Sequence, residues 1–386
     1  MPSRLMIALA IPFLASPATA ADAPAVTLLR APDSAIQPQA VVDIQGVVHI
    51  VAFRGDPGRG DLYYSRRDPA TGKLTAPIRV NSEPGSAIAM GTIRGAQVAL
   101  GRDGRVHVAW NGSGETKTKN AFGSTPMLYA RSNAARTAFE PERNLMKKTS
   151  ALDGGGSIAA DGKGGVFVAW HAKAEDSADG EAGRKLYVAR STDDGKTFAA
   201  EHPAIDRETG ACGCCGTKSL ADKAGNVYVL YRAATAAVGR DLYLLQSRDG
   251  GETFAGRSLH PWRIESCPMS SESLTEGGGS IAAAWETAGR VYFARINPIT
   301  GKPSEPISPP GGAVRKHPTL AINTRGELLL AWTEGTGWQR GGDLAWQVFD
   351  RDGKPIGKPG RLEGGIPVWG LPSAVALPDE SFLIVH

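Results

Sequence analysis

The sequence predicts an all-β fold, specifically a β-propeller of four-stranded antiparallel blades. Three observations carry that prediction. One hairpin pattern recurs along the chain: a short strand, a Gly- or Asp-containing turn, then a strand that often ends in an aromatic residue. The 48 glycines and 26 prolines follow no G-X-Y period, so they mark many tight turns and not a fibre. No convincing amphipathic helix follows the N-terminal leader.

The hairpin appears seven times, as AVVDIQGVVHIVAF, QVALGRDGRVHVAW, SIAADGKGGVFVAW, SLADKAGNVYVLY, SLTEGGGSIAAAW, TLAINTRGELLLAW and SAVALPDESFLIV. Turns such as DG, AGN and RGE between alternating β-branched runs are hairpin signals. The first six copies are each followed by a second hairpin, whose first strand reads DLYYSRR, MLYARS, KLYVARS, DLYLLQS, RVYFARI or DLAWQVF. Its second strand is vaguer, as in APIRV or EPISP. Units of this kind at intervals of roughly 45 to 60 residues describe propeller blades. The seventh copy has only two strands. The early segment PAVTLLRA is the expected third, an outer strand that closes the ring. Seven blades are favoured, with six the alternative.

Residues 1–20 read as a secretory leader: Arg4 gives a basic start, residues 5–15 an apolar core, and Ala18-Thr19-Ala20 a cleavage site. The expectation is a periplasmic or secreted protein, cut after Ala20, whose residues 21–386 form one propeller domain. No later apolar run is long enough to cross a bilayer. The net charge of +4 is spread along the chain without a Lys/Arg block, which argues against nucleic acid as a partner.

Two of the second hairpins turn through STDDGKTF and SRDGGETF. In these, Ser191, Asp193, Gly195 and Phe198, and again Ser247, Asp249, Gly251 and Phe254, fit the Asp-box pattern S-x-D-x-G-x-T-F. Ser and Asp side chains can bond the turn's own backbone, glycine permits positive φ, and the phenylalanine can tuck between sheets. Weaker remnants occur at SRRDPATGK and FDRDGKP. On these residues the chain resembles the sialidase superfamily of BNR-repeat propellers over essentially its whole mature length. It is similar especially to an exported bacterial branch with C-x-C-C and a later C-P-M. The resemblance implies a propeller, while sialidase chemistry does not follow from fold. The family's hydrolases carry an early F/Y-R-I-P motif and a late tyrosine nucleophile. Here Phe53–Gly58 reads FRGDPG, and no tyrosine follows Tyr292. No catalytic residue is assigned.

Antiparallel topology sorts the connections onto two faces. Lettering strands A to D outward from the centre, the A–B and C–D turns, with the Asp boxes, share one face. The B–C loops and the crossovers between blades share the other. Cys212, Cys214 and Cys215 precede one inner strand and Cys267 the next, so all four are expected to converge on the crossover face. Met90, Arg94, Met269, Arg315 and His317 lie on crossovers to the same rim, and His171 follows a strand B that ends there. The B–C segments, from FRGDPGRGD to TEGTGWQRGGD, read as long polar loops, which makes this the ligand face.

The cysteines admit two readings. An even count in an exported chain favours disulfides, and a bond from Cys212, Cys214 or Cys215 to Cys267 would staple neighbouring blades. Alternatively, thiolates with Met269, His317, His171 and Met90 as secondary ligands suit a soft metal such as copper. In an extended segment Cys212 and Cys214 would point the same way, and Gly213 and Gly216 permit Cys215 to bend towards them. Arg54, Arg94, Arg232, Arg240 and Arg315 are candidates for binding an anion or substrate. Asp153, Glu208, Glu265, Glu286 and Glu334 lie at or near the face, although nothing in the sequence pairs two of them as glycoside hydrolysis requires. Trp110, Trp170, Trp285 and Trp332 end strand B in four units, which assigns them to packing between blades, whereas Trp338 and Trp369 are the candidates for stacking on a ligand. The leading expectation is a binding protein for a small molecule, glycan or metal. The alternatives are a glycoside hydrolase or lyase on the same face, and a disulfide-stapled scaffold for a protein partner.

Overall fold

The structure, a computed structural model, describes residues 23–386 apart from residue 237. The leader read in residues 1–20 lies outside the described residues. Seven sheets stand around a central axis, with innermost strands Ile36–Val42, Gln97–Leu100, Ser157–Ala160, Thr217–Ala221, Glu272–Gly277, Arg315–Ile322 and Ser373–Ala376. Each innermost strand contacts those of the two flanking blades, and the seventh contacts the first. The seven-blade reading holds, and the six-blade alternative does not. Among the described residues no helix is long and apolar enough to cross a membrane.

Five sheets have four strands. In the fifth blade, residues 303–309, which include the segment read as EPISP, make only isolated bridges, Phe293 with Ile307 and Ile296 with Pro303. Their prolines lack the N–H that a continuous ladder requires. The seventh blade closes as expected. Val26–Leu29 lies against Phe382–Val385, and the pairing is parallel.

Between the blades lie apolar seams. Trp110, Trp170 and Trp285 are at most 1% exposed, and each packs against strands of the preceding blade. Trp332 does the same against the fifth blade. Removing each indole from water stabilises the ring by on the order of 3 kcal/mol.

Both Asp boxes close through the same bonds. The Ser191 hydroxyl donates to Asp193 Oδ1 at 2.8 Å and accepts from the Gly195 N–H at 2.9 Å; Ser247 does so with Asp249 and Gly251 at 2.7 and 2.8 Å. Gly195 and Gly251 have φ of 73° and 84°, a region costly for other residues. Phe198 meets Tyr129 of the preceding blade edge-on at 4.8 Å, and Phe254 packs against the blade behind it. Asp68 and Asp350, in the weaker remnants, also accept backbone N–H bonds within their turns. So do Asn133 and Asn297, in turns whose sequences do not suggest it. One side-chain device therefore shapes the outer turns of six blades.

Candidate functional site

The four cysteines meet on the crossover face. The Cys215 N–H donates to the Cys212 carbonyl at 3.3 Å, which closes a tight turn with Gly213 and Cys214 at its centre. A turn, unlike an extended segment, places its first and last residues side by side. The Cys212 and Cys215 sulfurs accordingly lie 2.6 Å apart, and both residues are buried thiols outside any disulfide. The segment is turned and not extended, so Cys215 comes to Cys212 as the neighbouring glycines permit, closer than Cys214 does. Cys214, at the turn's outer corner, is instead bonded to Cys267, joining the crossovers into the fourth and fifth blades. Its sulfur is 3.5 Å from that of Cys212. The spacing of Cys212 and Cys215 is itself C-x-x-C, a signal hidden inside C-x-C-C.

Close backbone approach holds the turn in place. An added Cβ at Gly154 would stand 2.0 Å from the Cys215 carbonyl oxygen, and one at Gly155 would stand 1.7 Å from the Ile93 carbonyl oxygen. The consecutive glycines before the third blade are therefore a packing requirement. The Gly216 N–H donates to the Ser270 carbonyl at 2.9 Å, tying the two cysteine crossovers together a second time.

Charged groups surround the dithiol. The Gly213 N–H donates to Glu181 Oε1 at 2.6 Å, and Glu181 also pairs with Arg240. The hydrogen bond from Cys215 lowers the Cys212 thiol, with a further contribution from the Arg240 charge. Burial pushes the Cys215 thiol well up, and the adjacent Cys212 adds to this. Cys212 is thus the more acidic of the two thiols and Cys215 the less acidic.

His171 is 1% exposed, and burial pulls it down to about 4, so it is neutral at ordinary pH. Its Nε2 lies 3.0 Å from the Cys215 carbonyl oxygen and must donate there. Nδ1 then carries the lone pair, and it has no hydrogen-bond partner. Glu272, opposite Gly216, has both carboxyl oxygens without a partner, and burial raises it well above the usual carboxylate range. Sequence reasoning does not single out Glu272 or Glu181. They carry no local motif and reach the site only through the packing of neighbouring blades.

The other candidates are placed more variously. Among the described residues, the donor atoms that lie within 4.8 Å of one another are the sulfurs of Cys212, Cys214 and Cys215, without a histidine nitrogen. His317 turns instead to Ser271 Oγ, 3.0 Å from its Nδ1. With Met269, Trp338 and Trp369 it lines a pocket of ≈ 30 Å³. Thr92, Met269, His317 and Trp369, all at this pocket, have φ between 46° and 69°. Backbone strain of this kind concentrates at functional sites. Trp338 and Trp369 meet edge to face at 4.7 Å, and Trp338 is 58% exposed. Met90 sits at the rim, with its carbonyl accepting from Arg94.

The arginines are already engaged. Arg54 pairs with Asp33 at 2.5 Å, Arg94 with Asp153 at 2.5 Å and Arg315 with Glu334 at 3.1 Å, so the three do not share one anion. Arg232 is 1% exposed and donates to Ser270 Oγ and to the carbonyls of Arg240 and Glu286. Glu208 pairs with Lys185 and Glu286 with Lys316, which leaves these acids tied to separate cations. Glu265 is exposed. The segment FRGDPGRGD is not a long loop, because Val48–Asp56 and Arg59–Arg67 pair to within two residues of each other.

No family model matches the chain, and no curated protein matches it in sequence. Among solved structures it is similar to the leech intramolecular trans-sialidase complexed with 2,7-anhydro-Neu5Ac, at TM-score 0.50 and 9% identity, over 92% of this chain and 86% of that one. It is similar to Trypanosoma rangeli sialidase in complex with the inhibitor DANA at TM-score 0.50 and 13% identity, over 78% of this chain and 53% of that one. The chain thus spans about half the length of the trypanosomal enzyme. An ulvan lyase of the polysaccharide lyase class matches at TM-score 0.49 and 12% identity, over 88% of this chain and 87% of that one. At these identities the likeness is one of fold: the chain is a sialidase-like β-propeller.

Proposed function

We propose that this chain is an exported ligand-binding propeller whose crossover face holds a soft metal ion, Cu(I), on Cys212 and Cys215. The observation that carries the reading is the pair of buried, unbonded sulfurs 2.6 Å apart with the Cys214 sulfur close by. Thiolates select Cu(I) over harder ions, and a dry surround favours a low-coordinate soft cation. Cys212 is the more acidic thiol, the turn fixes the spacing, and the Cys214–Cys267 bond holds the two crossovers in register. His171, whose Nδ1 is unpartnered and whose Nε2 bonds the Cys215 carbonyl, is the candidate for an added donor. Export is supported by the leader pattern in residues 1–20 and by a disulfide, a bond favoured in oxidising compartments.

The test is anaerobic titration with Cu(I) against a chromophoric copper chelator. One equivalent should be withdrawn from the chelator by the wild type and none by the Cys212→Ser/Cys215→Ser double variant. Equal withdrawal by both would remove the dithiol from the reading. Stoichiometric binding that survives only in a Cys267→Ser variant would show that the staple blocks the site.

A further inference from the structure

The sulfur geometry supports an activity that does not depend on a metal. Cys212, a free buried thiol, has its sulfur 3.5 Å from Cys214, one half of an existing disulfide. The same sulfur is 2.6 Å from Cys215, between van der Waals contact and a bond of about 2.05 Å. Exposure is graded across the four residues. Cys212 and Cys215 are each 1% exposed, Cys214 is half-buried, and Cys267 is exposed at the rim. A buried dithiol thus abuts a disulfide whose far end faces solvent.

We propose that the four cysteines form a thiol–disulfide exchange relay, which carries the electron pair of the buried Cys212/Cys215 dithiol to a disulfide of a second molecule arriving at Cys267. In the first step the Cys212 thiolate attacks Cys214 Sγ. The Cys212–Cys214 bond forms, the Cys214–Cys267 bond breaks, and Cys267 leaves as a thiolate into solvent. Next Cys215 gives up its proton and attacks Cys212 Sγ. The Cys212–Cys215 bond forms, and Cys214 leaves as a thiolate that takes up the proton. One disulfide and two thiols are present before and after, so this rearrangement needs no oxidant. It moves the dithiol to the surface. Cys267 then attacks the external disulfide and releases one thiol, and Cys214 attacks Cys267 Sγ and releases the second. The Cys214–Cys267 bond is restored, the external disulfide has been reduced to two thiols, and the buried pair has been oxidised. Exchange of this kind requires a free thiol in contact with a disulfide and a sulfur open to the partner, and here the two sit at opposite ends of one chain of contacts.

The experiment uses the full chain, freed of metal by chelation, with glutathione disulfide as the probe. Samples are quenched in acid, alkylated under denaturing conditions and digested with trypsin. The cysteines Cys212, Cys214 and Cys215 then lie in the peptide ETGACGCCGTK and Cys267 in a separate one. Before the probe is added, the wild type should yield the two peptides linked, plus a fraction of ETGACGCCGTK released with an internal bond and an alkylated Cys267. With the probe, a transient glutathione adduct should form on Cys267. The end point should be two disulfides and two glutathione thiols released per chain. Cys215→Ser should stop at the internal Cys212–Cys214 bond with Cys267 free, and Cys212→Ser should show only the linked peptides. The relay is overturned if the wild type yields linked peptides alone before the probe and keeps both buried thiols after it. It is equally overturned if the first adduct forms on Cys212. Both overturning outcomes are read on the wild type, so a variant that fails to fold does not shield the relay from them. Loss of Cu(I) binding with exchange retained would sink only the metal reading, and the reverse only the relay.

Discussion

The two faces of the ring are built on opposite principles. On the Asp-box face, Ser191 and Ser247, on successive blades, make the same bonds at nearly the same distances, each within its own turn. On the crossover face, the groups that matter come from different blades and several lack partners. Both oxygens of Glu272 and the Nδ1 of His171 are buried without a hydrogen bond. On the first face each box is closed by its own side chains, which serves stability. On the second, a fully buried carboxyl and an imidazole nitrogen go without partners, an arrangement that calls for another use.

This contrast is sharpened first by removing the staple. Cys267→Ser should lower unfolding stability by about 2–4 kcal/mol, because the bond joins residues 53 apart in the unfolded chain. Urea unfolding of oxidised protein checks this, and an unchanged midpoint would mean the crossovers are held by packing alone.

The next effect has the opposite sign. Burial is the main cause that pushes the Glu286 carboxyl up to about 7, although Lys316 opposes it. The native state therefore prefers the neutral acid. That preference helps folding fully below the ordinary value of 4.5 and is lost as pH rises through about 7. Glu286→Gln should stabilise the protein by on the order of 3 kcal/mol above that pH and by little near pH 4, as thermal melts at the two values would show. A uniform loss at both would mark Glu286 as an ordinary structural ion-pair member.

On the opposite face the expected changes are smaller. Ser247→Ala, which deletes the acceptor of the Gly251 N–H, should cost about 1 kcal/mol, and Ser191→Ala the same. Unequal losses in the two variants would show that the boxes are not interchangeable. The smallest effect is electrostatic. Burial works against it, but hydrogen bonds from Thr197 and Ser191 hold Asp193 down at about 2. Its contribution is present above the ordinary value of 3.8 and lost as pH falls through about 2, so Asp193→Asn should flatten the acid limb of the stability profile slightly.

The same contrast explains what the sequence makes legible. Blade number, closure by residues 26–29 and the convergence of Cys212–Cys215 with Cys267 follow from strand periodicity and the alternation of turns. Asp193 and Asp249 announce themselves because their partners are four residues away. The pairing inside the cysteine run depends on whether that segment is extended or turned, and composition does not decide this. Glu272 and Glu181 are hidden for a related reason. Each is an ordinary acid in its own segment, and only the ring sets it beside a sulfur or an arginine from elsewhere. FRGDPGRGD misleads in the other direction, since its glycines and charges read as a loop where the backbone pairs as a hairpin.

The pairing of Val26–Leu29 with Phe382–Val385 has a consequence for assembly. The two strands that close this sheet are far apart in sequence, so the seam forms only once both are present, and until then Phe382–Val385 offers an unpaired edge. Contacts of such sequence separation are slow to form, and they make this seam the place where a neighbour with a spare strand would do the most harm.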